Sequence, residues 1–196
     1  MARLFSWRPA LTIRGREFRG IRGWSGKPTP PPLTDFPVVC YMLAGLFDII
    51  SLLKGRHGLT PGSSNFYRAG TYVIVVGAVV SLGTALTGFW DWLKSMPKHT
   101  QAWRTANSHM AIMLTVTGIV IVDIILRLSS YHHALVRSSP IVTALSVVAA
   151  ALVGLGSFYG GSMVYDYAFN VEQDAPVWEE RETDVFPADK KHPPAS

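Results

Sequence analysis

Ionisable side chains are scarce in the long apolar runs of this chain, and those that occur are the places where chemistry could reside. Asp48 lies in "FPVVCYMLAGLFDIISLL", and Asp123 and Arg127 lie in "MAIMLTVTGIVIVDIILRL". An ionisable group in such a run is costly and by default faces a protein interior or a polar cavity. Asp123 and Arg127 are spaced i, i+4 and share a helix face, with the acid on the preferred N-terminal side. Asp48 falls in the same half of the layer, because successive spans run in opposite directions. The three are expected to form one buried polar cluster. Its structural role would be to fix helix register. Its chemical role would be proton transfer, with Ser81, Thr84 and Thr87 as the candidate relay groups.

A second set gathers around "GFWDWLKSMPKHTQAWRTANSH", Gly88 to His109. Topology brings Asp35, Asp91, His109 and Asp166 to one mouth of a four-helix arrangement. Two carboxylates and an imidazole suit a divalent metal by ligand type, but their spacing is no known metal motif, and no metal is expected. His109 is also the one histidine inside a span. A haem iron needs one or two axial ligands held at one depth; His99, Met42, Met110, Met113 and Met163 lie near the same end. The favoured reading is a His109 hydrogen-bonded to a neighbouring helix, with no cofactor; haem b is the alternative. Phe89, Trp90 and Trp92 form an interfacial aromatic belt, and Lys94 and Lys98 can reach for headgroups.

The elements that would position these residues are helices in lipid. Of 196 residues, 48% are hydrophobic and 16% charged, against about 25% charged in ordinary soluble domains; mean hydropathy is +0.23. The charges crowd into the ends and three short breaks, leaving four apolar runs. The fold class is therefore all-α integral membrane, an antiparallel four-helix transmembrane bundle with N- and C-terminal extensions. The bundle covers residues 33–165, with spans at about 36–53, 69–93, 105–128 and 140–164. Thr34 or Asp35 with Pro37, and Ser139 with Pro140, are helix starts. Gly77, Gly83, Gly88, the Gly156/Gly160 pair and the Ala150/Gly154 pair let helix backbones approach. The single Cys40 excludes an internal disulfide and a cysteine-based metal site. The chain has no G-x-S-x-G, H-E-x-x-H, Walker or Rossmann motif, and it is not expected to be an enzyme.

Residues 1–32 form a basic arm with seven Lys or Arg and one Glu, interleaved with aromatic and aliphatic side chains. It reads as a segment for anionic lipid or a partner subunit, not for nucleic acid. No signal-peptide pattern is present, and "KPTPPP" reads as a stiff extended spacer. Residues 166–196 are a mixed-charge, Pro-rich tail with little expected structure, in which Trp178, Val185 and Phe186 are possible anchors. Four spans place both termini on one side with Lys94, Lys98 and Arg104. The other side holds Lys54, Arg56, Arg68, Arg127 and Arg137. This bias puts the termini in the cytoplasm of a bacterium, with the bundle in its inner membrane.

Four phrases, "FPVVCYMLAGLFDIISLL", "ALTGFWDWL", "SHMAIML" and "YGGSMVYDYAFNV", together resemble in order and spacing the bacterial membrane family of domain of unknown function 2231, over about residues 28–171. That family commonly has a His before the Phe-Pro opening the first helix, one near the start of the third and one after the Tyr ending the fourth. Such a set implies a b-type haem or another redox role, and some members look fused to Rieske-type iron–sulfur domains. Here Asp35 stands before Phe36-Pro37, and Asp166, Tyr167 and Ala168 follow Tyr165; His109 keeps its place. The expected function is a non-catalytic integral membrane subunit of a larger respiratory or photosynthetic electron-transfer assembly, docked through its extensions onto other subunits. The alternatives are a haem b protein using His109, and a small transporter or proton channel around Asp48 and Asp123. Oxidised and reduced absorption spectra of the purified protein separate the first two: the favoured reading expects no Soret band, and haem at His109 requires one.

Overall fold

The structure, a computed structural model, describes residues 30–96, 98 and 100–167. The basic arm, His99 and nearly all of the tail, with the expectations attached to them, lie outside the described residues. Four helices follow in order: α1 (Pro30–Lys54), α2 (Pro61–Ser95), α3 (Gln101–Ser130) and α4 (Pro140–Tyr165). Among the described residues there is no strand. At 1.5 Å per residue the helices are roughly 38 to 52 Å long, more than the ~30 Å hydrocarbon layer. All four are long and apolar enough to cross a membrane.

Three of the helices begin where the sequence supplies an acceptor for the open first turn. Ser139 accepts from the Val142 N–H at 3.3 Å and Pro140 occupies the first helical position, as expected. Thr100 caps α3 by accepting from the Trp103 N–H at 3.2 Å. Three starts differ from the sequence-based expectation. Helix α3 begins at Gln101 rather than near Thr105. Pro30–Pro32 open α1 and are not an extended spacer. Their missing N–H groups fall in the first turn, where no intrahelical partner exists to lose. Helix α2 begins at Pro61, not near Ala69, because Thr60 and Ser63 form a reciprocal capping box, each side chain bonding the other's backbone N–H at 3.1 Å. What reads as a loop, "PGSSNFYR", is helical. Pro37 sits inside α1 and cannot donate to the Leu33 carbonyl. The Thr84 hydroxyl lies 3.4 Å from that carbonyl, a long contact, and 3.2 Å from its own Val80 carbonyl.

The connections are short, so sequence neighbours pack antiparallel. Helix α1 lies against α2 and α4, and α3 against α4; α2 touches α3 only lightly. Among the described residues the backbones of α1 and α3 do not come together, nor do those of α2 and α4. The result is a ring of four with one thin seam. In the turn after α1, Gly58 has φ +143°, a conformation that favours glycine. The core is small: Tyr41, Ala44, Ile74, Val116, Val120, Ala149 and Val153. Outside, large apolar side chains are exposed, with Leu86 at 72% and Phe158 at 78%. Inside, Asp48, Asp123 and Arg127 are at 0%. An apolar exterior around a polar interior is the distribution that lipid selects and water does not.

The glycines act differently from one another. A Cβ on Gly77 would stand 2.7 Å from the Cys40 Cβ and 3.0 Å from the Tyr41 ring. Gly77 therefore sets the approach of α1 to α2. Gly83 and Gly88 face open space and do not share that role. Gly156 admits the Met113 side chain, and Gly160 seats the ring of His109, so this pair serves α3–α4 packing. Gly77→Ala is expected to destabilise the bundle by about 1–3 kcal/mol through overpacking. Gly83→Ala should cause no loss, and unfolding midpoints of the two variants in detergent test the contrast.

Candidate functional site

Below the connection end of the bundle, opposite the termini, two helices deliver charged groups to one point. Asp48 is six residues from the end of α1, Asp123 and Arg127 are in the last two turns of α3, and both reach the same level because α1 and α3 run parallel. The Arg127 Nε donates to Asp123 Oδ1 at 2.9 Å. Nη1 donates to Asp48 Oδ1 at 3.1 Å and lies 3.4 Å from the Thr71 hydroxyl. Nη2 contacts Asp48 Oδ2, Asp123 Oδ2 at 3.3 Å and the Ser146 hydroxyl at 2.8 Å. A guanidinium has five N–H groups, and each finds an acceptor here. The planar fork meets two carboxylates at once, which an ammonium cannot do.

The remaining helices complete this unit. From α4, Ser146 Oγ lies 2.5 Å from Asp48 Oδ2, 2.7 Å from Asp123 Oδ2 and 3.0 Å from its own Val142 carbonyl. From α2, Thr71 donates to the Tyr67 carbonyl at 2.8 Å, leaving its oxygen free to accept from Arg127. Tyr67 donates to the Arg127 carbonyl at 2.9 Å, and its ring centroid is 5.8 Å from the guanidinium carbon, within cation–π range. A Cβ on Gly70 would touch both Arg127 and Asp48, at 3.4 Å. Every helix thus contributes to one polar knot.

A second layer of hydroxyls lies above it, toward the connections. Ser51 donates to the Ser63 carbonyl at 2.7 Å and accepts from the Ser138 N–H at 3.0 Å. Ser63 and Ser64 reach the Val136 carbonyl at 3.2 and 3.0 Å, and Ser64 accepts the Val136 N–H at 2.9 Å. Thr143 donates to Ser138 at 3.0 Å. The α3–α4 connection is thereby stitched to the start of α2 and the end of α1. Arg137 adds a bond to the Gly55 carbonyl at 2.7 Å.

The sequence places Asp48, Asp123 and Arg127 together, and so does the structure. Thr71, Tyr67, Ser146 and the serine layer do not stand out in the sequence, although counting residues from the α4 start would have set Ser146 at the depth of Asp48. The supposed relay groups lie elsewhere. Ser81 bonds Tyr41 at 2.9 Å and its own Ala78 carbonyl. Thr84 and Thr87 bond carbonyls of α2. None of these bonds leads to the aspartates.

The mouth set of Asp35, Asp91, His109 and Asp166 does not assemble. Asp35 is exposed on the second turn of α1, since that helix starts earlier than expected, and Asp166 is exposed at the α4 C-cap. Asp91 is buried at the end of α2. His109 crosses to α4, where its Nδ1 donates to the Gly156 carbonyl at 2.8 Å; a carbonyl only accepts, so the proton is on Nδ1. Among the described residues no three His, Cys, Asp or Glu gather to hold a metal ion. For a haem iron, His109 offers Nε2 alone. The other described histidines, His57, His132 and His133, belong to the connections at the opposite end. The aromatic belt is present: Phe89 stacks on Trp92 at 5.8 Å, Lys94 lies over Trp90 at 5.3 Å, and Trp92 donates to Asn107 at 2.9 Å across the α2–α3 seam.

A family model described as a predicted membrane protein, DUF2231, matches residues 26–173 and so spans all four helices. No curated protein and no solved structure matches the chain.

Removing Arg127 would leave two acids buried against each other. Arg127→Met is expected to destabilise the protein by roughly 3–5 kcal/mol, the range for breaking one side of a buried ion pair. Arg127→Lys should also destabilise it, because a point charge cannot engage both carboxylates bidentately. Unfolding midpoints in detergent check both; a stable Arg127→Met protein would show that the knot does not hold the helices.

Proposed function

The chain belongs to the DUF2231 family of predicted membrane proteins, and from that premise we propose that this integral membrane protein is a non-catalytic subunit of a larger membrane assembly. The observation that carries this reading is the saturation of Arg127. Its five N–H groups are taken by Asp48, Asp123, Thr71 and Ser146 inside the bundle, which leaves it none for a substrate. Polar groups here hold helices in register. A turn closer to the termini, Ala44, Ile74, Val120 and Ala149 form an apolar layer, which gives a proton or solute no polar path onward. This favours a scaffold over a channel.

Docking is assigned to the extensions. The arm of residues 1–32 combines seven Lys or Arg with aromatic side chains, a composition suited to anionic headgroups or an acidic partner surface. The Lys and Arg bias supports a reading in which both extensions lie in the cytoplasm and the bundle in a bacterial inner membrane. The electron-transfer character of the assembly rests on the family's histidine pattern, of which His109 remains.

Mildly solubilised native membranes provide the test. A tagged full-length chain is expected to co-purify with stoichiometric membrane subunits, and deletion of residues 1–29 should reduce that yield several-fold. A chain that always purifies alone would refute the docking role.

A further inference from the structure

The polar knot contains one more short contact than its ordinary protons can explain. Ser146 Oγ lies 2.5 Å from Asp48 Oδ2 and 2.7 Å from Asp123 Oδ2. Oxygen–oxygen separations of about 2.5–2.8 Å are those of O–H···O bonds, each with a proton between the atoms. Two such bonds need two protons, and a serine hydroxyl supplies one. The Arg127 protons do not fill the gap, because they lie on other lines, between nitrogen and oxygen. A carboxylic acid donating to Ser146 Oγ would supply the second proton.

Charge counting leads to the same place by a separate route. Asp48 and Asp123, both ionised, oppose a single Arg127, leaving one negative charge in a unit whose three members are at 0% exposure. Around it, α1 adds Ser51, α2 adds Tyr67 and Thr71, and α4 adds Thr143 and Ser146, all uncharged at neutral pH. The flanking cations are engaged elsewhere: Arg68 donates to the His133 carbonyl and Arg137 to the Gly55 carbonyl. An uncompensated charge sealed in protein and lipid is removed by binding a proton before it is tolerated.

We infer that Asp48 and Asp123 share one proton across the Ser146 hydroxyl, so that the knot is a neutral unit of one guanidinium, one carboxylate and one carboxylic acid. Ser146 is then a positioning residue that lets two acids approach one cation without repulsion. The proton is retained. Toward the termini lies the layer of Ala44, Ile74, Val120 and Ala149; toward the connections Tyr67 and Ser51 give their own protons to the Arg127 and Ser63 carbonyls.

Infrared spectroscopy of the full-length protein in lipid nanodiscs at neutral pH tests this directly. A carboxylic C=O band that shifts in D2O is expected in the native protein. Asp48→Asn and Asp123→Asn should each abolish it, since each leaves one carboxylate paired with Arg127. Asp91→Asn, which alters a buried acid outside the knot, should retain it. Both single variants should fold, because an amide replaces a neutral acid, whereas the double variant should not, because Arg127 is left alone. A native spectrum without the band overturns the inference. So does a band that survives both single variants or disappears in Asp91→Asn, and so does failure of both single variants to fold.

Discussion

The bundle depends on one guanidinium. Arg127 sits where neither water nor headgroups can solvate it, so the protein itself must supply every hydrogen bond it makes. Meeting that demand takes two carboxylates, a threonine and a serine from four different helices. Each helix can satisfy its share at one rotation and one depth only. The core of apolar side chains is small, and in lipid there is no strong hydrophobic drive to hold helices together. The polar knot therefore carries register that packing alone would leave loose. Buried polar groups can fix an arrangement without adding much stability.

The interior is ordered in layers along the helix axis. Nearest the connections is the serine layer of Ser51, Ser63, Ser64 and Ser138, which ties loop backbone to helix ends. Beneath it is the Arg127 knot, and beneath that the apolar layer of Ala44, Ile74, Val120 and Ala149. Then come the Tyr41–Ser81 bond, His109 on Gly156 and the aromatic belt. The α2–α3 contact is the thin seam of the ring, and Gly83, Gly88 and Gly118 face open space.

The sequence by itself determined the class, the number of spans and the trio at the centre of the knot. Those follow from one-dimensional facts: hydrocarbon thickness sets the length of an apolar run, and the cost of a charge in lipid forces Asp48, Asp123 and Arg127 to seek one another. Three of the helix starts are equally local. Ser139-Pro140 was legible, and Thr60-Pro61 and Thr100 carry cap signals of the same kind that polar surroundings made look like loop. Tertiary structure decided the rest. Thr71 and Ser146 are ordinary helix residues until rotation of α2 and α4 aims their hydroxyls at Arg127. Asp35, Asp91, His109 and Asp166 share an end of the bundle, yet helix rotation and the early start of α1 send them to different surroundings. Depth can be counted along a chain, because each residue adds a fixed rise. Azimuth cannot, because the direction a side chain faces is fixed only when all four helices have packed around the same buried charge.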